Sequence, residues 1–150
     1  MFGDNNLTSD LTVKSIEILV VEDNPGDVKL FLTRFKKEFK FIANFHVQTN
    51  GMDAMEFLNK VGKYNDVPKP DLLVLDLMLP KKDGIAILSE MSKDNDLENI
   101  PVVIFTSLTG QKDILRNCSN IKHIVISKPD SLDGYNEVIK TVENFLVECN

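Results

Sequence analysis

The sequence predicts an α/β protein: a doubly wound (βα)5 three-layer sandwich with a parallel five-stranded sheet between helices. Three observations predict it. Short apolar or β-branched runs alternate with helix-period segments five times along the chain. Several of those runs are apolar almost without interruption, as strands covered on both faces must be. Each run passes into a helix signal rather than a two-residue hairpin turn, so the connections are crossovers, which are right-handed. The 150 residues, 43% of them hydrophobic, suffice for one core and no second. We divide the chain into an arm over residues 1–14, polar and aperiodic, and a single domain over residues 15–150.

Taken in order, "IEILVVED" is the first strand and closes on two acids. "NPGDVKLFLTRFKKEF" follows as an amphipathic helix, with Val28, Phe31, Leu32, Phe35 and Phe39 at three- and four-residue steps. Pro25 suits its first turn. "ANFHVQT" is the second strand. "NGMDAMEFLNKVG" is a helix carrying Ala54, Met55, Leu58 and Val61 on one face, with Asn50 as its N-cap and Gly62 as its stop. The prolines of "YNDVPKP" make that segment a loop. "LLVLDLMLP", residues 72–80, is the third strand, and "KKDGIAILSEMSKD" the next helix, with Ile85, Leu88 and Met91 inward. "PVVIFTS" is the fourth strand, "GQKDILRNCSN" a short helix, and "KHIVISKP" the fifth strand. In "SLDGYNEVIKTVENFLVE" the residues Leu132, Tyr135, Val138, Ile139, Val142, Phe145 and Leu146 form one stripe of the last helix.

The composition excludes several function classes. A net charge of -6 without a Lys/Arg cluster argues against a nucleic-acid surface. Cys118 and Cys149 have no metal-ligand spacing and read as two unpaired thiols of a reducing compartment. The opening residues lack a basic and an apolar region, so no signal peptide is read there. No apolar run approaches the ~20 residues that span a bilayer. The expected location is the cytoplasm.

The polar residues fall at the strand ends. The first strand ends at Glu22 and Asp23, the third at Asp76, the fourth at Thr106 and Ser107, and the fifth at Lys128 before Pro129. Parallel strands point the same way, so one edge of the sheet collects three carboxylates, a hydroxyl and an ammonium. In sheets of this type that edge holds the ligand crevice. Asp76 is the most telling, because an unpaired carboxylate inside an apolar run would sooner give up its charge than be buried. Three carboxylates around one ammonium still call for a cation, and oxygen donors without His or Cys suit Mg2+ or Mn2+, with Mg2+ the expected cofactor. A metal, a lysine and a hydroxyl around one carboxylate equip it to accept a phosphoryl group as an acyl phosphate, a transfer that depends on positioning and charge neutralisation. Singly, each residue has an ordinary reading: Glu22 and Asp23 as a turn or cap, Thr106 with Ser107 as a turn, Lys128 as a surface lysine. Their convergence on one edge favours the functional one.

"ILVVEDNPGD", "PDLLVLDLMLPKKDG", "PVVIFTS" and "ISKP", in this order, resemble the receiver domain of two-component response regulators over about residues 16 to 146. The "NP" and "LPKKDG" signatures and the loop "GKYNDVPKP" are more narrowly similar to stand-alone receivers associated with bacterial phytochromes. The resemblance implies a flavodoxin-like strand order 2-1-3-4-5, Asp76 as phosphoacceptor, and Thr106 and Lys128 as phosphoryl-binding residues. It further implies a metal held by Glu22, Asp23, Asp76 and the backbone carbonyl of Met78, a loop shaped by Pro80 and Gly84, and a cis bond before Pro129. Where the family usually has an aromatic switch residue this chain has Val125, and Ile121 and Lys122 replace its usual Gly-Ala. The implied donor is a histidine kinase of phytochrome-like type. The implied receiver of the signal is a downstream protein or a phosphorelay histidine protein, with the last helices and strand as partner or homodimer face and no nucleic acid or membrane involved.

Three rival readings compete with this one. A haloacid dehalogenase-like phosphatase would need a second Asp where Met78 stands. A nucleotide or flavin carrier would place phosphate against the acidic "EDNPGD" turn. A degenerate receiver acting as a protein-binding module is the remaining alternative.

Overall fold

The structure is a computed structural model that describes residues 15–107 and 120–149. Five strands, β1 (Ile16–Val21), β2 (Ala43–Gln48), β3 (Leu72–Leu75), β4 (Val102–Thr106) and β5 (His123–Ser127), pair in parallel in the order β2-β1-β3-β4-β5. The described helices are α1 (Pro25–Glu38), α2 (Gly51–Asn59), α3 (Gly84–Ser92) and α4 (Gly134–Glu148), with a 3-10 turn at Gly62–Tyr64. The arm 1–14, Cys118 and all but the last residue of the helix read over 110–120 lie outside the described residues. Among the described residues no helix is long and apolar enough to cross a membrane.

Strand alternation sorts the core into two layers. Leu19, Val21, Leu73, Leu75, Val102 and Ile104 face Ala54 and Leu58 of α2 and Ile87, Leu88 and Met91 of α3. Their neighbours Ile18, Val20, Leu72, Val74, Val103 and Phe105 face Phe31 and Phe35 of α1 and Tyr135, Val138 and Val142 of α4. Both faces of the central strands are thereby covered, and each such side chain contributes about 1.5–3 kcal/mol by burial. Aromatic contacts tie the second layer together: Phe31 stacks on Phe35 at 4.0 Å, and Phe105 meets Tyr135 edge-on at 6.0 Å.

The helices start where polar caps place them. Asn24 accepts from the Asp27 N–H at 3.1 Å with Pro25 in the first turn, Asn50 accepts from Asp53 N–H at 2.9 Å, and Asp83 from Ala86 N–H at 2.8 Å. Two ends depart from expectation. Helix α2 stops not at Gly62 but at Lys60, which takes a left-handed conformation (φ 56°), and Val61 is 48% exposed beyond the helix. The early stop swings Tyr64 back onto Phe57 (5.5 Å), and its hydroxyl donates to Gln48 at 3.0 Å. Leu132 likewise precedes α4 and faces solvent, because that helix begins at Gly134.

Candidate functional site

The carboxyl ends of β1, β3, β4 and β5 meet at an open cleft of about 930 Å³ flanking the switch point between β1 and β3. Asp76 is the first residue past β3. Its N–H still donates to Val21 O at 3.1 Å, which carries the strand pairing one step further and fixes the carboxylate. Its side chain is buried and has three donors: Thr106 Oγ1 and Met78 N–H reach Oδ1, each at 3.1 Å, and Lys128 Nζ reaches Oδ2 at 2.8 Å. Glu22 is buried as well and lies 2.5 Å from Lys128 Nζ, while Asp23 is exposed at the rim.

The loop that leaves Asp76 is set by close contacts. A β-carbon on Gly84 would stand 2.6 Å from the Asp76 carbonyl oxygen, so only glycine lets α3 begin there. The Pro80 carbonyl accepts the N–H of Lys82 at 2.8 Å and of Gly51 at 3.3 Å, and Lys81 between them has a left-handed φ of 69°. Gly51 sits so near this loop that a β-carbon would fall 1.7 Å from the Lys82 carbonyl oxygen. Lys82 is further paired with Glu90 of α3. Pro129 packs against Gly134, whose β-carbon would meet the proline ring at 2.5 Å.

Two expectations change here. The Lys128–Pro129 bond is trans, the isomer a prolyl bond prefers by about 0.5–1 kcal/mol in the absence of other constraints. The charge count of the cluster also changes, because Lys128 touches three carboxylates: besides Glu22 and Asp76 it reaches Asp27 Oδ2 at 3.0 Å. Asp27 was missed by sequence reasoning. It occupies the third position of α1, where an acid reads as an ordinary complement to the helix dipole. The usable signal was proximity: a helix that starts three residues after β1 keeps its first turn beside the strand ends.

The electrostatics follow from this crowding. Burial pushes the Glu22 carboxyl above the usual carboxylate range, and the charge of Asp76 adds to the rise; hydrogen bonds from Lys128 and from the Asn24 N–H oppose it. Burial alone would lower the Lys128 ammonium, but its bonds to Asp76, Glu22 and Asp27 outweigh that and raise it. Tyr135, at the start of α4, is pushed up to about 12 by burial and by the charge of Asp27.

Glu22, Asp23 and Asp76 each offer an oxygen within 4.8 Å of the others. Three hard carboxylate donors without His or Cys fit a divalent cation. On β5 Val125, where the resemblance places a degenerate switch residue, is 44% exposed.

A strand-end carboxylate with a lysine, a hydroxyl and an acidic pair on a 2-1-3-4-5 sheet defines a phosphoryl-accepting class of α/β protein. Comparison with known proteins agrees. The model of the response regulator receiver domain matches residues 18–140. Response regulator Rcp1 of Synechocystis is 32% identical over 131 residues, 87% of this chain and 88% of that protein. Among solved structures, the phosphorylated cyanobacterial phytochrome response regulator RcpA superposes with a TM-score of 0.80 at 31% identity, covering 91% of this chain and 97% of that one. The Mn2+-bound form of Rcp1 gives 0.76 at 32% identity, covering 87% and 93%. This chain belongs to the response regulator receiver family. Members are signalling proteins rather than classical enzymes, and they interact with histidine kinases, from which they accept a phosphoryl group on an aspartate.

Proposed function

We propose that Asp76 is the phosphoacceptor, that Thr106 and Lys128 bind the phosphoryl oxygens, and that Mg2+ is the ion held by Glu22, Asp23, Asp76 and the Met78 carbonyl. The observation that carries this reading is the buried Asp76 carboxylate with Lys128 at 2.8 Å, Thr106 at 3.1 Å and two further carboxylates converging on it. A carboxylate oxygen attacks phosphorus, an oxygen–phosphorus bond forms, and the bond to the donor nitrogen breaks with its electron pair leaving on the imidazole. A carboxylate oxygen carries no proton to be removed, so the step needs no base. Bound Mg2+ would supply charge for the equatorial phosphoryl oxygens. Lys128 adds a second positive charge, and the Thr106 hydroxyl can turn its hydrogen bond from Asp76 to a phosphoryl oxygen. With Lys128 and Thr106 the chain's own and the metal held by its carboxylates, the protein promotes its own phosphorylation.

The donor in this reading is a histidine kinase of the phytochrome type, given the likeness to Rcp1 and RcpA. The output is a contact with a downstream protein or a phosphorelay histidine protein, and the exposed edge of β5 with α4 is the face for a partner or a second copy. The intact charge set argues against the degenerate binding-module reading. Incubation with Mg2+ and acetyl phosphate should add about 80 Da to the intact mass, and Asp76→Asn should abolish the adduct. An adduct that persists in that variant would place the acceptor elsewhere.

A further inference from the structure

The proposal concerns Asp27 and rests on the reading of Asp76 and Lys128 just given. An ammonium has three N–H donors and no more. In this structure Lys128 donates to Asp76 at 2.8 Å and to Asp27 at 3.0 Å, and it pairs with Glu22 at 2.5 Å. A phosphoryl oxygen arriving at Lys128 therefore competes with these carboxylates for its donors.

The three are not equivalent. Glu22 and Asp76 are buried at the ends of adjacent central strands, where losing a donor is costly. Asp27 makes the longest of the three contacts, its side chain is 36% exposed, and it stands on the first turn of α1 where water can replace the lysine. It also lies outside the group of carboxylates whose oxygens converge on the candidate cation position. A divalent cation there would offset two of the three charges of Glu22, Asp23 and Asp76 and would not be in reach of the charge of Asp27, which still faces the phosphoryl group.

We infer that Asp27 is a positioning residue acting through Lys128: it holds one N–H donor until a phosphoryl oxygen takes it, and its charge limits how much of the protein becomes phosphorylated. No proton moves in this exchange. Lys128 trades one N–H···O contact for another while the Asp76 oxygen–phosphorus bond forms and the donor's bond to phosphorus breaks.

The test compares wild type, Asp27→Asn, Asp27→Ser and Asp27→Glu, each checked for folding by thermal unfolding. With Mg2+ and acetyl phosphate at low salt, the phosphorylated fraction at limiting donor, read by intact mass, should rise at least about threefold in Asp27→Asn and Asp27→Ser. Asp27→Glu should restore the wild-type level, and high salt should narrow the gap. A second readout needs neither metal nor donor: in 15N NMR the Lys128 ammonium should exchange its protons severalfold faster in Asp27→Ser, where a short neutral hydroxyl replaces the carboxylate that accepts from it. Equal or lower phosphorylation in both neutral variants, or an unchanged Lys128 signal, overturns the role of Asp27 while leaving the phosphoacceptor reading intact. Failure of the wild type itself to take up phosphoryl groups overturns that reading, and this inference with it.

Discussion

Strands β3 and β5 both lead to a charged side chain, and the two charges meet at 2.8 Å, yet the strands that carry them are built in opposite ways. β3 runs between β1 and β4, and all four of its residues are buried to 2% exposure or less. Among the described residues β5 lies at the edge of the sheet, pairs with β4 alone, and mixes half-buried residues with exposed ones such as Val125. The proposed phosphoacceptor is thus mounted where any shift would open the core. Its counter-ion is mounted where a shift costs little packing. Displacing β5 would therefore disturb less packing than displacing β3.

The sharpest way to break this contrast is to hollow out β3. Leu75→Ala should cost about 2–5 kcal/mol in urea unfolding, because Leu75 is fully buried within the layer shared with α2 and α3. A loss below about 1 kcal/mol would mean that β3 is not the rigid mount described.

A smaller effect probes the seam between the two strands. The Glu22 carboxyl is raised in the folded protein by burial, so between its unfolded and folded pKa values the native state holds the extra proton. The stability this contributes is present below the unfolded value and is lost as pH rises through the folded one. Unfolding curves collected across the acidic range should therefore show a fall with rising pH in the wild type that Glu22→Gln flattens; identical profiles would contradict the assignment. The smallest effect belongs to β5: Val125→Ala should change stability by no more than about 0.5 kcal/mol, since nearly half of the side chain is already in water. A loss comparable to that of Leu75→Ala would erase the distinction between the strands.

How legible all this was in the sequence depends on which force set each feature. The layers were readable because strand alternation and helix period are direct images of burial, and the gathering of Glu22, Asp76, Thr106 and Lys128 followed from strands that all point one way. The end of α2 was not, because a left-handed Lys60 is chosen by the pull of Tyr64 into the core, a tertiary contact, against the local preference for Gly62. Asp27 was hidden by having a sufficient local explanation at the start of α1. Only the reach of Lys128 from the far end of the chain reveals its other partner. The trans bond before Pro129 belongs to the same class, since both isomers are close in energy and the choice lies with the surroundings.

The contact between Gly51 and the Lys82 carbonyl has one more implication, for which residues position 51 can tolerate. No side chain, not even a methyl group, fits between the start of α2 and the loop that leaves Asp76, whereas the next residue, Met52, has half its surface in solvent. In a chain randomised at both sites, position 52 is free to drift, while position 51 must stay glycine or the loop beside Asp76 changes shape.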